Sequence, residues 1–103
     1  MGANSHSTEE KPLFIPLKGE YFDAFENGSK NTEYRLYGPR WNERTCRIGR
    51  RVTLSRGYGK KRRVQGVVSD FWKDAFSNDA IRACYPHTGS TPVMACIQIK
   101  VNK

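Results

Sequence analysis

Lys30, Glu33 and Arg35 are the residues of this chain whose types and spacing best suit chemistry. They fall within the stretch Asn27-Gly28-Ser29-Lys30-Asn31-Thr32-Glu33-Tyr34-Arg35-Leu36. On a strand, side chains alternate between faces, so Glu33 and Arg35 share one face while Thr32, Tyr34 and Leu36 share the other. On an open surface the Glu33–Arg35 pair would contribute only about 0–1 kcal/mol. In a pocket the same residues acquire other roles. Arg35 can donate to a carbonyl or a phosphate. A desolvated Lys30 can accept a proton, and Glu33 can carry or orient one. Spacing alone favours the surface ion pair.

A second constellation follows. Ten basic residues lie between positions 40 and 63: Arg40, Arg44, Arg47, Arg50, Arg51, Arg56, Lys60, Lys61, Arg62 and Arg63, with Glu43 as the sole acid among them. Guanidinium forks grip phosphate bidentately, and lysines add point charge. Tyr37, Trp41 and Tyr58 are interleaved with them and can stack on exposed bases, for roughly 1–3 kcal/mol per base. The candidate ligand-binding residues are Lys30, Glu33, Arg35, Tyr37, Arg40 and Trp41. The candidate nucleic-acid contacts are Arg44, Arg47, Arg50, Arg51, Arg56, Tyr58, Lys60, Lys61, Arg62 and Arg63. The plainer reading of the hairpin charges is a solvated tip that deters edge-strand aggregation.

These residues need elements to hold them. Residues 1–11 are small and polar, and read as a disordered tail before a single domain over 12–103. Leu13–Leu17 reads as a first strand with Pro16 near its end. Glu20–Asn27 reads as a short helix with Tyr21, Phe22 and Phe25 on one core-facing side, closed by Gly28. Thr32–Leu36 is the second strand, and Tyr37–Asn42 a turn-rich loop. Arg51–Ser55 and Val64–Phe71 form a hairpin around Gly57–Lys60. Asp74–Cys84 reads as a second helix, broken at Tyr85-Pro86-His87-Thr88-Gly89, and Val93–Val101 is the last strand. The order predicts an α+β, mostly β domain: a small barrel of about five to six strands with two short helices.

Composition narrows the function. The chain has 103 residues, 18 basic against 10 acidic, a formal charge of +8 and a pI near 9.7. Such a surface favours polyanions, with RNA, DNA or an acidic membrane face as candidates. The three cysteines, Cys46, Cys84 and Cys96, form no CxxC pair, and their odd number argues against a secreted disulfide framework. No metal-ligand spacing appears around His6 or His87. Cys84 and His87 read as a buried cysteine and a loop histidine rather than a nucleophilic pair. No stretch suits a membrane span or a signal peptide. The expectation is a soluble cytoplasmic monomer with no cofactor, no metal and no membrane partner.

Gly28-Ser29-Lys30-Asn31-Thr32-Glu33-Tyr34-Arg35 is similar to the G-x-K-x-x-E-x-R motif of ASCH domains, in the PUA-like superfamily. Gly49-Arg50-Arg51-Val52-Thr53-Leu54 resembles that family's G-[DE]-x-V lead-in to a strand, with Arg50 where an acidic residue is common. The resemblance implies a PUA-like barrel with a cleft beside the first motif, and binding of RNA or a nucleotide-like ligand. It also implies an enzymatic alternative. Some family members resemble an amidohydrolase acting on N4-acetylcytidine through a lysine, a threonine three residues later and a distant glutamate. Lys30 matches that lysine, but Glu33 replaces the threonine, with Thr32 adjacent. No glutamate follows Glu43, which leaves Asp70, Asp74 or Asp79 for the distant carboxylate. Ribonuclease activity, implied for other relatives, would draw on Lys30, Tyr34 and Arg35, so the catalytic candidates are Lys30, Glu33 and Tyr34. A regulatory domain whose basic surface meets an acidic protein is the remaining alternative.

Overall fold

The computed structural model describes residues 10–75 and 93–102. It is a mostly β, barrel-like domain: one five-stranded sheet, curled into a half-barrel, with one helix among the described residues. The elements are β1 (Leu13–Leu17), α1 (Gly19–Asn27), β2 (Thr32–Leu36), β3 (Arg51–Arg56), β4 (Arg63–Ala75) and β5 (Val93–Val101). Across the sheet the strands run β1-β3-β4-β5-β2. β1 pairs with β3 in parallel, and every other neighbouring pair is antiparallel. The chain therefore reaches the far edge of the sheet with β2 before filling in its middle.

Apolar alternation fixes the inner face. Leu13, Ile15 and Leu17 on β1 and Val52 and Leu54 on β3 are buried, while the residues between them on β1 are part-exposed. Phe22 and Phe25 of α1 pack into the same core with Trp41, Cys46, Val68, Ile97 and Ile99. At about 25 cal/mol per Å² of apolar surface, such side chains each contribute on the order of 1.5–3 kcal/mol. Met94, Ala95, Cys96 and Ile97 are buried in succession, so β5 is covered on both faces there. Burial raises the thiol pKa of Cys46 and of Cys96.

Two expectations change. β4 continues through Trp72, Lys73, Asp74 and Ala75, which pair with Cys96, Ala95, Met94 and Val93 of β5. The start of the expected second helix is thus strand, because the long apolar β5 offers a ladder that outweighs local helix propensity. A register shift between Val68 and Asp70 leaves Ser69 as a bulge and lets this long strand bend. Tyr21 also departs from the expected aromatic core face: it is 43% exposed, while Phe22 and Phe25 are buried. The remainder of that helix, the turn after it, Cys84, His87, Asp79 and the first nine residues of the tail with His6 lie outside the described residues. Glu10 and Lys11 are held against the domain by arginines of the basic segment.

Candidate functional site

The cap of α1 positions Lys30. Gly28 adopts φ 88°, a left-handed conformation that costs a residue without Cβ little. Its N–H bonds the Phe25 carbonyl, and the Lys30 N–H returns to the Ala24 carbonyl at 3.1 Å. The chain thus doubles back over the last turn of the helix. The Lys30 ammonium sits 5.4 Å from the ring centre of Tyr21, 5.6 Å from Phe25 and 5.1 Å from Tyr34. Cation–π attraction holds it there. This explains why Tyr21 leaves the core: it forms one wall around a charge.

Glu33 links Lys30 to Arg35. One carboxylate oxygen lies 3.9 Å from Lys30 Nζ, and the other accepts from Arg35 Nε at 2.7 Å. Glu33 is only 8% exposed, so the surface ion pair favoured by spacing gives way to a largely buried one. Removing water strengthens such a pair and makes the loss of either partner costly. Arg35 then spans the sheet's opening. Its Nη2 donates to the Pro16 carbonyl at 2.7 Å, joining edge strand β2 to edge strand β1. Its guanidinium also lies 4.9 Å from the ring of Trp41, which Arg40 approaches at 5.2 Å.

Beside Arg35 opens a cleft of about 280 Å³, lined by Pro16, Leu17, Lys18, Arg35, Gly57 and Tyr58. Gly57 has φ 75°, and its N–H bonds the Leu17 carbonyl, which draws the β3–β4 turn against the end of β1. The volume lies near the lower end of small-molecule sites. Lys30 is not among the lining residues. The expected Lys30/Glu33/Arg35 cleft is therefore divided: Arg35 faces the cavity, Glu33 is the partition, and Lys30 lies behind it among aromatic rings. Lys18 and Pro16 were missed from sequence. Lys18 was legible as a lone cation before the helix; Pro16 contributes a carbonyl, which residue type cannot reveal.

The basic segment is partly neutralised from within. Arg56 pairs with Asp23, and Arg62 with Glu26 at 2.6 Å, which ties the hairpin to α1. Arg47 and Arg50 pair with Glu10. Arg51 donates to the Glu10 carbonyl and Arg63 to the Gly59 carbonyl. Arg40, Arg44, Lys60 and Lys61 have no carboxylate partner among the described residues. The hydrogen bond from Arg47 holds the Glu10 carboxyl below its ordinary pKa, and that from Arg56 does the same for Asp23.

The three aromatic side chains proposed for stacking differ. Trp41 is 9% exposed under two guanidiniums and cannot meet a base as it stands. Tyr37 is half-buried, with Lys73 over its ring at 4.8 Å. Its hydroxyl donates to Glu43 at 2.6 Å, a bond that raises the Tyr37 pKa and lowers that of Glu43. Tyr58, 82% exposed at the cleft mouth, presents an open ring.

Asn42, 6% exposed, organises the loop before β3. Its amide donates to the Gly38 and Pro39 carbonyls, and its side-chain oxygen accepts from the N–H groups of Arg44 and Thr45. Side-chain oxygens of this kind stand in for backbone partners in turns. Among the described residues, no helix is long and apolar enough to cross a membrane, and no group of three or more His, Cys, Asp or Glu could hold a metal ion. No protein-family model matches the chain, and a search of curated proteins finds no match, so the geometry of its own side chains carries the functional conclusion.

Proposed function

We propose that this chain is an ASCH-type, PUA-like domain that binds RNA or a nucleotide-like ligand at the cleft beside Arg35. One observation carries the reading: a cavity edged by Lys18, Arg35 and the open ring of Tyr58 adjoins a hairpin tip whose Lys60 and Lys61 lack carboxylate partners among the described residues. A base stacks on Tyr58, and Arg35 donates to its carbonyl. Lys18, Lys60 and Lys61 hold the adjoining phosphates. Glu33 fixes the guanidinium, and Lys30 balances Glu33.

Chemical-shift mapping tests this reading with short single-stranded RNAs and modified nucleosides at low salt. The expected result is a set of shifts centred on Lys18, Arg35, Gly57, Tyr58, Lys60 and Lys61. RNA affinity should fall steeply with salt, the slope of log K against log[salt] being about −0.7 per phosphate contacted. Absence of binding at low salt, or shifts confined to another face, would overturn the assignment.

A further inference from the structure

Arg47, Arg50 and Arg51 converge on one residue, Glu10, across 37 or more positions of sequence. Glu10 uses both carboxylate oxygens on Arg47: one accepts from Nη1 at 3.1 Å, the other from Nη2. Arg50 is anchored by two backbone carbonyls, with Nη1 donating to Thr45 at 2.7 Å and Nη2 to Lys11 at 2.9 Å. Its remaining nitrogen, Nε, is buried and has no hydrogen-bond partner. The nearer carboxylate oxygen stands 3.6 Å away, within ion-pair range but too far to bond.

A buried, unsatisfied guanidinium N–H beside a carboxylate is an incomplete fit. The planar carboxylate has two oxygens, and Arg47 takes both. A phosphate monoester has three terminal oxygens in a tetrahedral array. Two can bind Arg47 as a fork, and the third is free for Arg50 Nε. Arg47 Nη1 also donates to the Arg44 carbonyl at 3.2 Å, and the Thr45 and Lys11 carbonyls hold Arg50, so each guanidinium keeps a protein partner when Glu10 leaves.

We propose that Arg47 and Arg50, with Arg51 adding charge, form a site for a terminal phosphate, and that Glu10 occupies it as an internal competitor. The ligand chemistry is a phosphate monoester, either the 5′ end of an RNA or a free phosphate. The site deepens the RNA reading above and depends on that reading only for the first of these two sources.

Two RNAs of one sequence, with 5′-phosphate and 5′-hydroxyl ends, distinguish the possibilities. Their affinities are measured by fluorescence anisotropy on the full chain and on Glu10→Gln. Glu10 is exposed, so this change leaves the core intact. Charge-assisted bonds of this kind predict that Glu10→Gln binds the 5′-phosphorylated RNA about tenfold more tightly, with little change for the 5′-hydroxyl RNA. Inorganic phosphate should move the Arg47 and Arg50 Nε–H resonances further in Glu10→Gln than in the parent. RNA binding with no preference for the phosphorylated end in either protein overturns the terminal-phosphate site and leaves the RNA reading standing. Equal affinities of parent and variant for the 5′-phosphorylated RNA overturn the competitor role of Glu10. If neither RNA binds but inorganic phosphate moves those resonances, the anion site holds and the RNA reading fails. If nothing binds, both fail.

Discussion

The Lys30–Glu33–Arg35 cluster and the hairpin tip between β3 and β4 draw on similar residue types with different outcomes. In the cluster, two cations share a carboxylate that is 8% exposed, and their positions are fixed by aromatic rings and a backbone carbonyl. At the tip, Lys60 and Lys61 have no carboxylate partner among the described residues. Charge engaged inside the fold contributes to folding and is partly withdrawn from ligands. Charge left in water contributes little to folding and remains available to a polyanion. Arg56 and Arg62 fall between these cases, being exposed yet paired with α1.

The largest effect that can break this comparison is at Glu33. Glu33→Ala leaves Lys30 and Arg35 facing each other without their shared anion, and should cost about 2–4 kcal/mol of stability. A denaturant melt whose midpoint barely moves would show that the cluster is not structural. Next comes the tip. Lys60→Ala with Lys61→Ala should change stability by no more than about 0.5 kcal/mol. The same double variant should make the salt slope of RNA binding shallower by about 1.4, or about 0.7 for each lysine. An unchanged slope, measured by titration at several salt concentrations, would remove the tip from the interface.

The smallest effect concerns the paired, exposed carboxylates. Asp23 and Glu10 titrate below their ordinary values of 3.8 and 4.5, so their stabilising contribution is complete above those values and is lost as pH falls beneath them. Stability should decline from about pH 4.5 downward, and Asp23→Asn should flatten the decline in its lower part. Unfolding midpoints measured against pH check this, and parallel curves for the two proteins would contradict it.

Much of the fold was legible because local patterns and tertiary needs agree. A short apolar run marked β1, alternation marked β2 and a longer apolar-rich run marked β5, each with the bounds the structure has, and Gly28 marked the end of α1. The hairpin was legible from its turn and its β-branched return strand. β4 was legible only as far as Phe71, since its last residues are strand because β5 lies beside them, and that partner is distant in sequence. The site was legible as a set of residue types, not as an arrangement. Spacing placed Glu33 and Arg35 on one face, but not that the face turns inward. The neutralisation of Arg47, Arg56 and Arg62 by Glu10, Asp23 and Glu26 depends on contacts 33 or more residues apart, which no local pattern encodes.

The bond from Arg35 to Pro16 has a kinetic consequence. Neighbouring strands elsewhere in the sheet are held by repeated backbone ladders, and separating them approaches global unfolding, on the order of 5–15 kcal/mol. The two outer strands meet across the opening through this guanidinium, a charge-assisted bond of about 1.5–3 kcal/mol. The seam therefore breathes far more often than the sheet unravels, an order that exchange of the Arg35 guanidinium N–H protons against the backbone amides of β3 would display. Each such opening moves Arg35, so the cleft it lines changes shape on the timescale of the seam, not of the whole domain.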